Sequence, residues 1–150
     1  ELGITRWMPF ISERAVPTPQ AYKQSKRLQR WKTIMVEALK QCRRSRLPQV
    51  DPVAPFEQVL GVSEAVDFKL IFWEEETHSM NQVLDTVPKP CKRIFAVLGP
   101  EGGFSEAEIE TAKSMGYQSV SLGPRILKAE TATVAVCSIL QYYFGDLGGK

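Results

Sequence analysis

Apolar residues occur along the chain in two alternating patterns, continuous runs and stripes with helical spacing. The apolar runs, which are typical of buried strands, cover residues 4–11 and 93–98, and two further strands are predicted at 67–73 and 117–122. Residues 93–98 are almost entirely apolar, which favours a parallel strand covered on both faces. These runs therefore predict a buried and mainly parallel sheet.

Helical spacing separates the predicted strands. Its longest stripe predicts a helix from about Ala21 to Cys42, preceded by a break at Pro17 and Pro19. Prolines make residues 47–55 a predicted connector. Further helices are predicted at 56–60, at 79–87, from the Ser105 and Glu108 capping box to about Met115, and at 129–144. This alternation predicts an α/β fold with a mainly parallel sheet flanked by helices.

Composition narrows the class of protein. The chain has 150 residues, of which 43% are hydrophobic, and this is enough for one globular domain. It contains no apolar stretch of transmembrane length and no signal peptide, so we expect a soluble cytoplasmic protein with no membrane partner. Three separated cysteines and a single histidine support neither a disulfide framework nor a metal site.

The positive charge is concentrated in one predicted element. Residues 23–46 carry nine basic side chains and one acid, Glu37. A cluster of this kind indicates a polyanionic partner, although a solvated helix face is the alternative. The candidate contacts within it are Lys26, Arg30, Arg44 and Arg46.

Two Gly-Pro loops follow consecutive predicted strands, at residues 98–103 and 122–125. Ligands of parallel sheets bind outside the carboxyl ends of the strands, where glycine allows close approach of the backbone. The first loop contains Glu101 and no lysine, which disfavours a phosphate cradle, and its spacing fits neither a P-loop nor a dinucleotide fingerprint. S-adenosylmethionine fits better, because it is a cation without phosphate. Simple tight turns are the alternative for either loop alone.

The segments Leu98–Ser105 and Leu122–Ala132 resemble the two signature loops of the 16S ribosomal RNA uracil-N3 methyltransferase family. The similarity extends over nearly the whole chain, and its upstream residues are Glu1–Gly3, Ser12–Arg14, Glu37, Ala38, Gln41, Cys42, Arg44 and Arg46–Pro48. It implies the SPOUT superfamily, with a carboxyl-terminal trefoil knot, S-adenosylmethionine as cofactor and a homodimer. The implied activity is methylation of N3 of a uridine in 16S ribosomal RNA of the small subunit.

The resemblance also implies roles for individual residues. Arg125 and Glu130 are the catalytic candidates, with a structural ion pair as the alternative. Arg14 is a further candidate RNA contact. The implied cofactor-binding residues are Leu98, Gly99, Pro100, Glu101, Gly102, Gly103, Leu122, Gly123, Arg125, Ile126, Leu127 and Thr131.

The sequence departs from the family pattern in two ways. Members of the family carry an amino-terminal PUA-like RNA-binding domain and a leading segment of the catalytic domain, and neither is present in this sequence. We therefore expect residues 1–150 to be the catalytic domain of a longer protein. Arg43 stands where the family commonly has glycine.

Several features suggest no chemistry. His78 is expected at the surface without a paired base, Glu74–Glu76 are expected to be solvated, and methyl transfer from a sulfonium requires no metal. Trp7, Trp31 and Trp73 are expected in the core. Two rival functions remain open, namely a noncatalytic RNA-binding module and a related knotted methyltransferase with another RNA target, such as transfer RNA.

Overall fold

A computed structural model describes residues 1–15, 21–61 and 66–149 of the chain, with backbone only at residues 21–25. The predicted break at Pro17 and Pro19 lies outside the described residues. The strands are β1 Arg6–Trp7, β2 Phe10–Ile11, β3 Gln49–Val50, β4 Ala54–Pro55, β5 Phe68–Phe72, β6 Ile94–Leu98 and β7 Gln118–Val120. The helices are α1 Ala21–Cys42, α2 Phe56–Gly61, α3 Met80–Leu84, α4 Glu106–Ser114 and α5 Ala129–Phe144.

The central sheet consists of three parallel strands in the order β6-β5-β7. Phe68–Phe72 of β5 pairs with Ile94–Leu98 of β6, and Leu70–Phe72 pairs with Gln118–Val120 of β7. Because β5 has a partner on each side, its backbone hydrogen bonds are satisfied within the sheet. The predicted α/β class with a parallel sheet flanked by helices is confirmed.

Alternate side chains of β5 enter two separate cores, as expected for a strand covered on both faces. Ile71 belongs to a core that includes Phe56, Leu60, Val97, Phe104, Ile109, Ala112 and Tyr117. Phe68, Leu70 and Phe72 belong to a second core with Val83, Leu84, Val87, Val120 and Val136. Helices α2 and α4 therefore cover one face of the sheet, and α3 and α5 cover the other.

The predicted buried strand at residues 4–11 is wrong in extent and in burial. It consists of β1, which pairs in parallel with β3, and β2, which pairs in parallel with β4. Ile4 is 40% and Trp7 38% exposed, so Trp7 is not the core residue that was expected. Pro9, Pro52 and Pro55 supply no N–H for pairing, and this limits β1 to β4 to two residues each. The same prolines explain why residues 47–55 were predicted as a connector rather than as β3 and β4.

The helix ends follow from local chemistry. Ser105 and Glu108 form the predicted capping box of α4, and Ser79 and Gln82 form an equivalent box at α3. Beyond α1, Arg43 has φ of 59°, in the left-handed region that favours glycine. This explains why glycine is the expected residue at this position.

Within the described parts of the chain, no helix is both long and apolar enough to cross a membrane. The same residues contain no group of three side chains of the types that bind metals, placed closely enough to hold an ion.

Candidate functional site

A cavity of about 950 Å³ opens at the carboxyl ends of the three central strands. Its walls come from the loops that follow β5, β6 and β7, and from the first turn of α5. The chain passes from β5 to β6 on one side and then to β7 on the other, and this change of direction leaves a crevice beside β5. The fold thus brings the two Gly-Pro loops together in one site.

The loop after β6 is a tight turn that only glycine can complete. Gly103 has φ of 69°, and its N–H donates to the carbonyl of Pro100 at 3.0 Å. A Cβ atom on Gly103 would collide with the Glu74 carboxylate, and one on Gly99 would lie 3.2 Å from the Phe104 ring. The positive φ of Gly103 and the close packing around Gly99 therefore favour glycine at these two positions.

The loop after β7 places a glycine at an open position. Gly123 has φ of 106°, and its N–H donates to Ser121 Oγ at 3.1 Å. No atom lies within 4 Å of where its Cβ would be. The backbone at Gly123 is thus accessible to a ligand.

The cavity exposes apolar surface. Ile126 lines it and is 85% exposed, whereas Leu98, Leu122 and Leu127 line it half-buried. Apolar groups in a concave site lose contact with water when a ligand covers them. This part of the cavity suits an uncharged ring or an aliphatic chain.

The charged lining is predominantly acidic. Four glutamates face one arginine and one lysine, namely Glu74, Glu76, Glu101 and Glu130 against Arg125 and Lys128. Excess negative charge in a concave site favours a cationic ligand and repels polyphosphates. The negative charge of the cavity agrees with the preference for S-adenosylmethionine over a phosphate ligand that the loop sequence indicated.

Glu76 is a site residue that sequence reasoning missed. Its side chain is only 9% exposed, and its Oε1 accepts hydrogen bonds from the Thr77 N–H at 2.8 Å and the His78 N–H at 3.2 Å. His78 Nδ1 lies 2.8 Å from the same oxygen. Burial alone would raise the pKa of Glu76, but hydrogen bonds from the His78 side chain and from the two backbone N–H groups lower it to about 2.

The predictions for this segment are therefore correct only in part. Glu74 and Glu75 are exposed as expected, whereas the Glu76 side chain is largely shielded from solvent. His78 is at the surface as expected, but it is paired with a carboxylate. The turn after β5 directs two backbone N–H groups at the Glu76 side chain, a geometry that a run of three glutamates does not reveal. Trp73 packs against the first core, as expected.

The structure brings most of the predicted cofactor residues together. Ten of them line the cavity, namely Leu98, Gly99, Pro100, Glu101, Gly103, Leu122, Gly123, Arg125, Ile126 and Leu127. Gly102 and Thr131 are outside its lining, since Gly102 packs against Arg14 and Thr131 is exposed on α5. Their role in binding stays a prediction.

Both catalytic candidates, Arg125 and Glu130, line the cavity and are exposed. Among the residues that the structure describes, neither forms an ion pair. The alternative of a structural ion pair between them is not observed. Both charges therefore face the cavity without being neutralised by each other.

The predicted RNA contacts lie on two elements. Lys26, Arg30 and Arg46 are exposed on or just beyond α1, whereas Arg44 donates to the carbonyl of Ile4 at 3.0 Å. Arg14 follows β2, is exposed, and donates to the carbonyl of Gly102 at 3.4 Å. Arg14 is thus next to the first glycine loop.

Comparison with known proteins finds a matching family model and several similar named proteins. A family model described as an RNA methyltransferase domain matches residues 1–141. Proteins named ribosomal RNA small subunit methyltransferase E are similar, at 33% identity in Bacillus subtilis and 35% in Synechocystis, over 95% and 93% of this chain. The chain spans 57% and 45% of those relatives, or about half their length.

Solved structures of similar proteins share the fold. The small subunit methyltransferase E of Neisseria gonorrhoeae, bound to S-adenosylmethionine, superposes with a TM-score of 0.85 at 34% identity, covering 97% of this chain and 58% of that one. A methyltransferase of Legionella pneumophila in complex with the same cofactor gives 0.85 at 30% identity, covering 95% and 57%.

Proposed function

Because the chain belongs to the RNA methyltransferase domain family, we propose that residues 1–150 are the catalytic domain of an S-adenosylmethionine-dependent enzyme. Its substrate is N3 of a uridine in 16S ribosomal RNA of the small subunit, modified in the cytoplasm. The observation that carries the proposal is the acidic, partly apolar cavity lined by both glycine loops. Support comes from the similar proteins that hold this cofactor.

The residues present fit the proposed cofactor. The backbone at Gly123 is open to its adenosine, Gly99 and Gly103 border the same cavity, and the half-buried leucines provide apolar walls. The glutamates of the cavity complement its positive charge. When bound, the cofactor supplies an electrophilic methyl group on a sulfonium. A carboxyl-terminal trefoil knot around this site, of the SPOUT kind, is part of the proposal.

Arg125 and Glu130 would act on the uridine. The imide nitrogen is a poor nucleophile while protonated, so its proton must leave as the bond from N3 to the methyl carbon forms and the carbon–sulfur bond breaks. Glu130 accepts that proton, directly or through water. Arg125 stabilises the negative charge that spreads over the ring oxygens.

A second copy of the chain is the proposed partner for the exposed apolar side chains on and after α5. Val134 is 57%, Tyr142 61% and Leu147 53% exposed, whereas Ile139, Leu140 and Phe144 pack into the second core. Burial of exposed apolar surface favours association. Light scattering should give the mass of a dimer, and a monomeric mass well above micromolar concentration would refute this assembly.

The test of the function is transfer of labelled methyl groups to small ribosomal subunits that lack the modification, followed by mapping of the product. We expect label on N3 of one uridine in 16S ribosomal RNA. Label in transfer RNA instead would favour the related knotted enzyme. Binding of RNA without any binding of cofactor would favour a noncatalytic module.

A further inference from the structure

One carboxylate joins the turn after β2 to the end of the first glycine loop. Glu108, in the first turn of α4, accepts the Glu13 N–H through Oε1 at 2.8 Å and the Ser105 N–H through Oε2 at 3.0 Å. Glu13 and Glu108 are 95 residues apart in sequence. The bond from the Ser105 N–H belongs to the capping box of α4. The bond from the Glu13 N–H is not needed for the cap and connects distant parts of the chain.

The same two segments are also in direct backbone contact. A Cβ atom on Gly102 would lie 3.0 Å from the carbonyl oxygen of Arg14 and 3.1 Å from its Cβ. The Arg14 guanidinium donates to the Gly102 carbonyl. Contacts this close leave little room for either segment to move alone.

The glycine loop consequently lies between two surfaces. Gly99, Pro100, Glu101 and Gly103 border the cavity, while Gly102 contacts the turn that carries Arg14. Arg14 is exposed and is one of the predicted RNA contacts. The loop that borders the cavity is therefore in direct contact with the turn that presents Arg14.

We propose that Glu108 is a positioning residue through which cofactor binding and RNA binding strengthen each other. The inference rests on the proposed function, because it assigns the cofactor to the cavity and RNA to Arg14. Coupling between sites is reciprocal, and typical values change affinity about 5- to 150-fold. Glu108 itself contacts neither ligand and acts on the position of Arg14.

The test measures the affinity for S-adenosylhomocysteine, the demethylated product, with and without saturating small ribosomal subunits at low salt. Wild type should bind it several-fold more tightly when the subunits are present. Glu108→Gln should reduce this difference, because the two N–H groups bond to different carboxylate oxygens and the NH₂ group that replaces one of those oxygens cannot accept a hydrogen bond. Ser105→Ala is the matched control, since it removes the cap bond to the Glu108 N–H but leaves Glu108 able to accept from Glu13.

Each outcome bears on the inference. Lost coupling in Glu108→Gln with retained coupling in Ser105→Ala supports it. The inference would be overturned if wild type and Glu108→Gln showed equal coupling, or if both variants lost coupling equally. It would also be overturned if wild type showed no coupling or did not bind the subunits. Failure of wild type to bind S-adenosylhomocysteine under either condition would instead refute the proposed function.

Discussion

Arg125 provides the most direct residue-level test of the chemistry. It is exposed, lines the cavity, and forms no ion pair within the described residues, so its charge is available to the proposed uridine substrate. Arg125→Ala should lower methyl transfer by roughly 10²- to 10³-fold, by analogy with the loss of one oxyanion donor. Cofactor affinity, measured by calorimetry, should change much less.

The matched control is Lys128→Ala, which removes the other cation of the cavity. A smaller loss of methyl transfer in Lys128→Ala than in Arg125→Ala would show that Arg125 acts as a specific donor and not only through its positive charge. A wild-type rate in Arg125→Ala would remove Arg125 from the mechanism.

Glu76 predicts a dependence of stability on pH. Its folded-state pKa of about 2 is below the ordinary value of 4.5. The ionised carboxylate therefore stabilises the fold above pH 4.5, and this contribution declines as the pH falls toward 2. At neutral pH, Glu76→Gln should lower the free energy of unfolding by about 1.5 to 3 kcal/mol, the range for hydrogen bonds to a charged group.

Denaturant unfolding at several pH values checks this expectation. The difference between wild type and Glu76→Gln should shrink as the pH is lowered below 4.5. Glu75→Gln, at an exposed neighbouring position, should have little effect at any pH. A constant difference across the acid range would show that the charge of Glu76 does not stabilise the fold.

At the scale of elements, the end of α1 is strained. Arg43 adopts φ of 59°, which costs a residue with a side chain roughly 1–2 kcal/mol, whereas glycine avoids that cost but loses about 0.5–1 kcal/mol through its freer unfolded chain. Arg43→Gly should therefore raise the free energy of unfolding by about 0.5–1 kcal/mol. Arg43→Ala removes the same charge but keeps the strain, and should not stabilise. Equal unfolding free energies for the two variants would contradict the strain.

The sequence predicted those elements whose signals are local. Spacing of apolar residues marked α1 and α5, and the Ser105 and Glu108 pair marked the start of α4, all as observed. The strands β3 and β4 were missed because two-residue strands among prolines carry no periodic signal. The burial of Glu76 was missed because it depends on the path of the turn after β5.

At the scale of the whole molecule, the site forms from segments that are distant in sequence. Repeated Gly-Pro loops after parallel strands predicted that residues 98–103 and 122–127 form two walls of one cavity, and the structure places all of them except Gly102 in its lining. Apolar patterns could not predict the contact of Arg14 with Gly102, which joins the turn after β2 to the same loop. Such contacts depend on the tertiary arrangement of the loops, and local sequence patterns do not predict them.

Calorimetric titration of three proteins with S-adenosylmethionine tests whether the cavity binds this cofactor. Gly123 and Gly116 both have positive φ and open space around the Cβ position, but only Gly123 lines the cavity. Valine at either position should strain the backbone similarly, and only valine at 123 should also obstruct the cavity. Wild type and Gly116→Val should bind the cofactor, and Gly123→Val should bind it much more weakly, with circular dichroism unchanged in all three proteins. Equal affinity in all three proteins, or no binding by wild type, would contradict binding of the cofactor in this cavity.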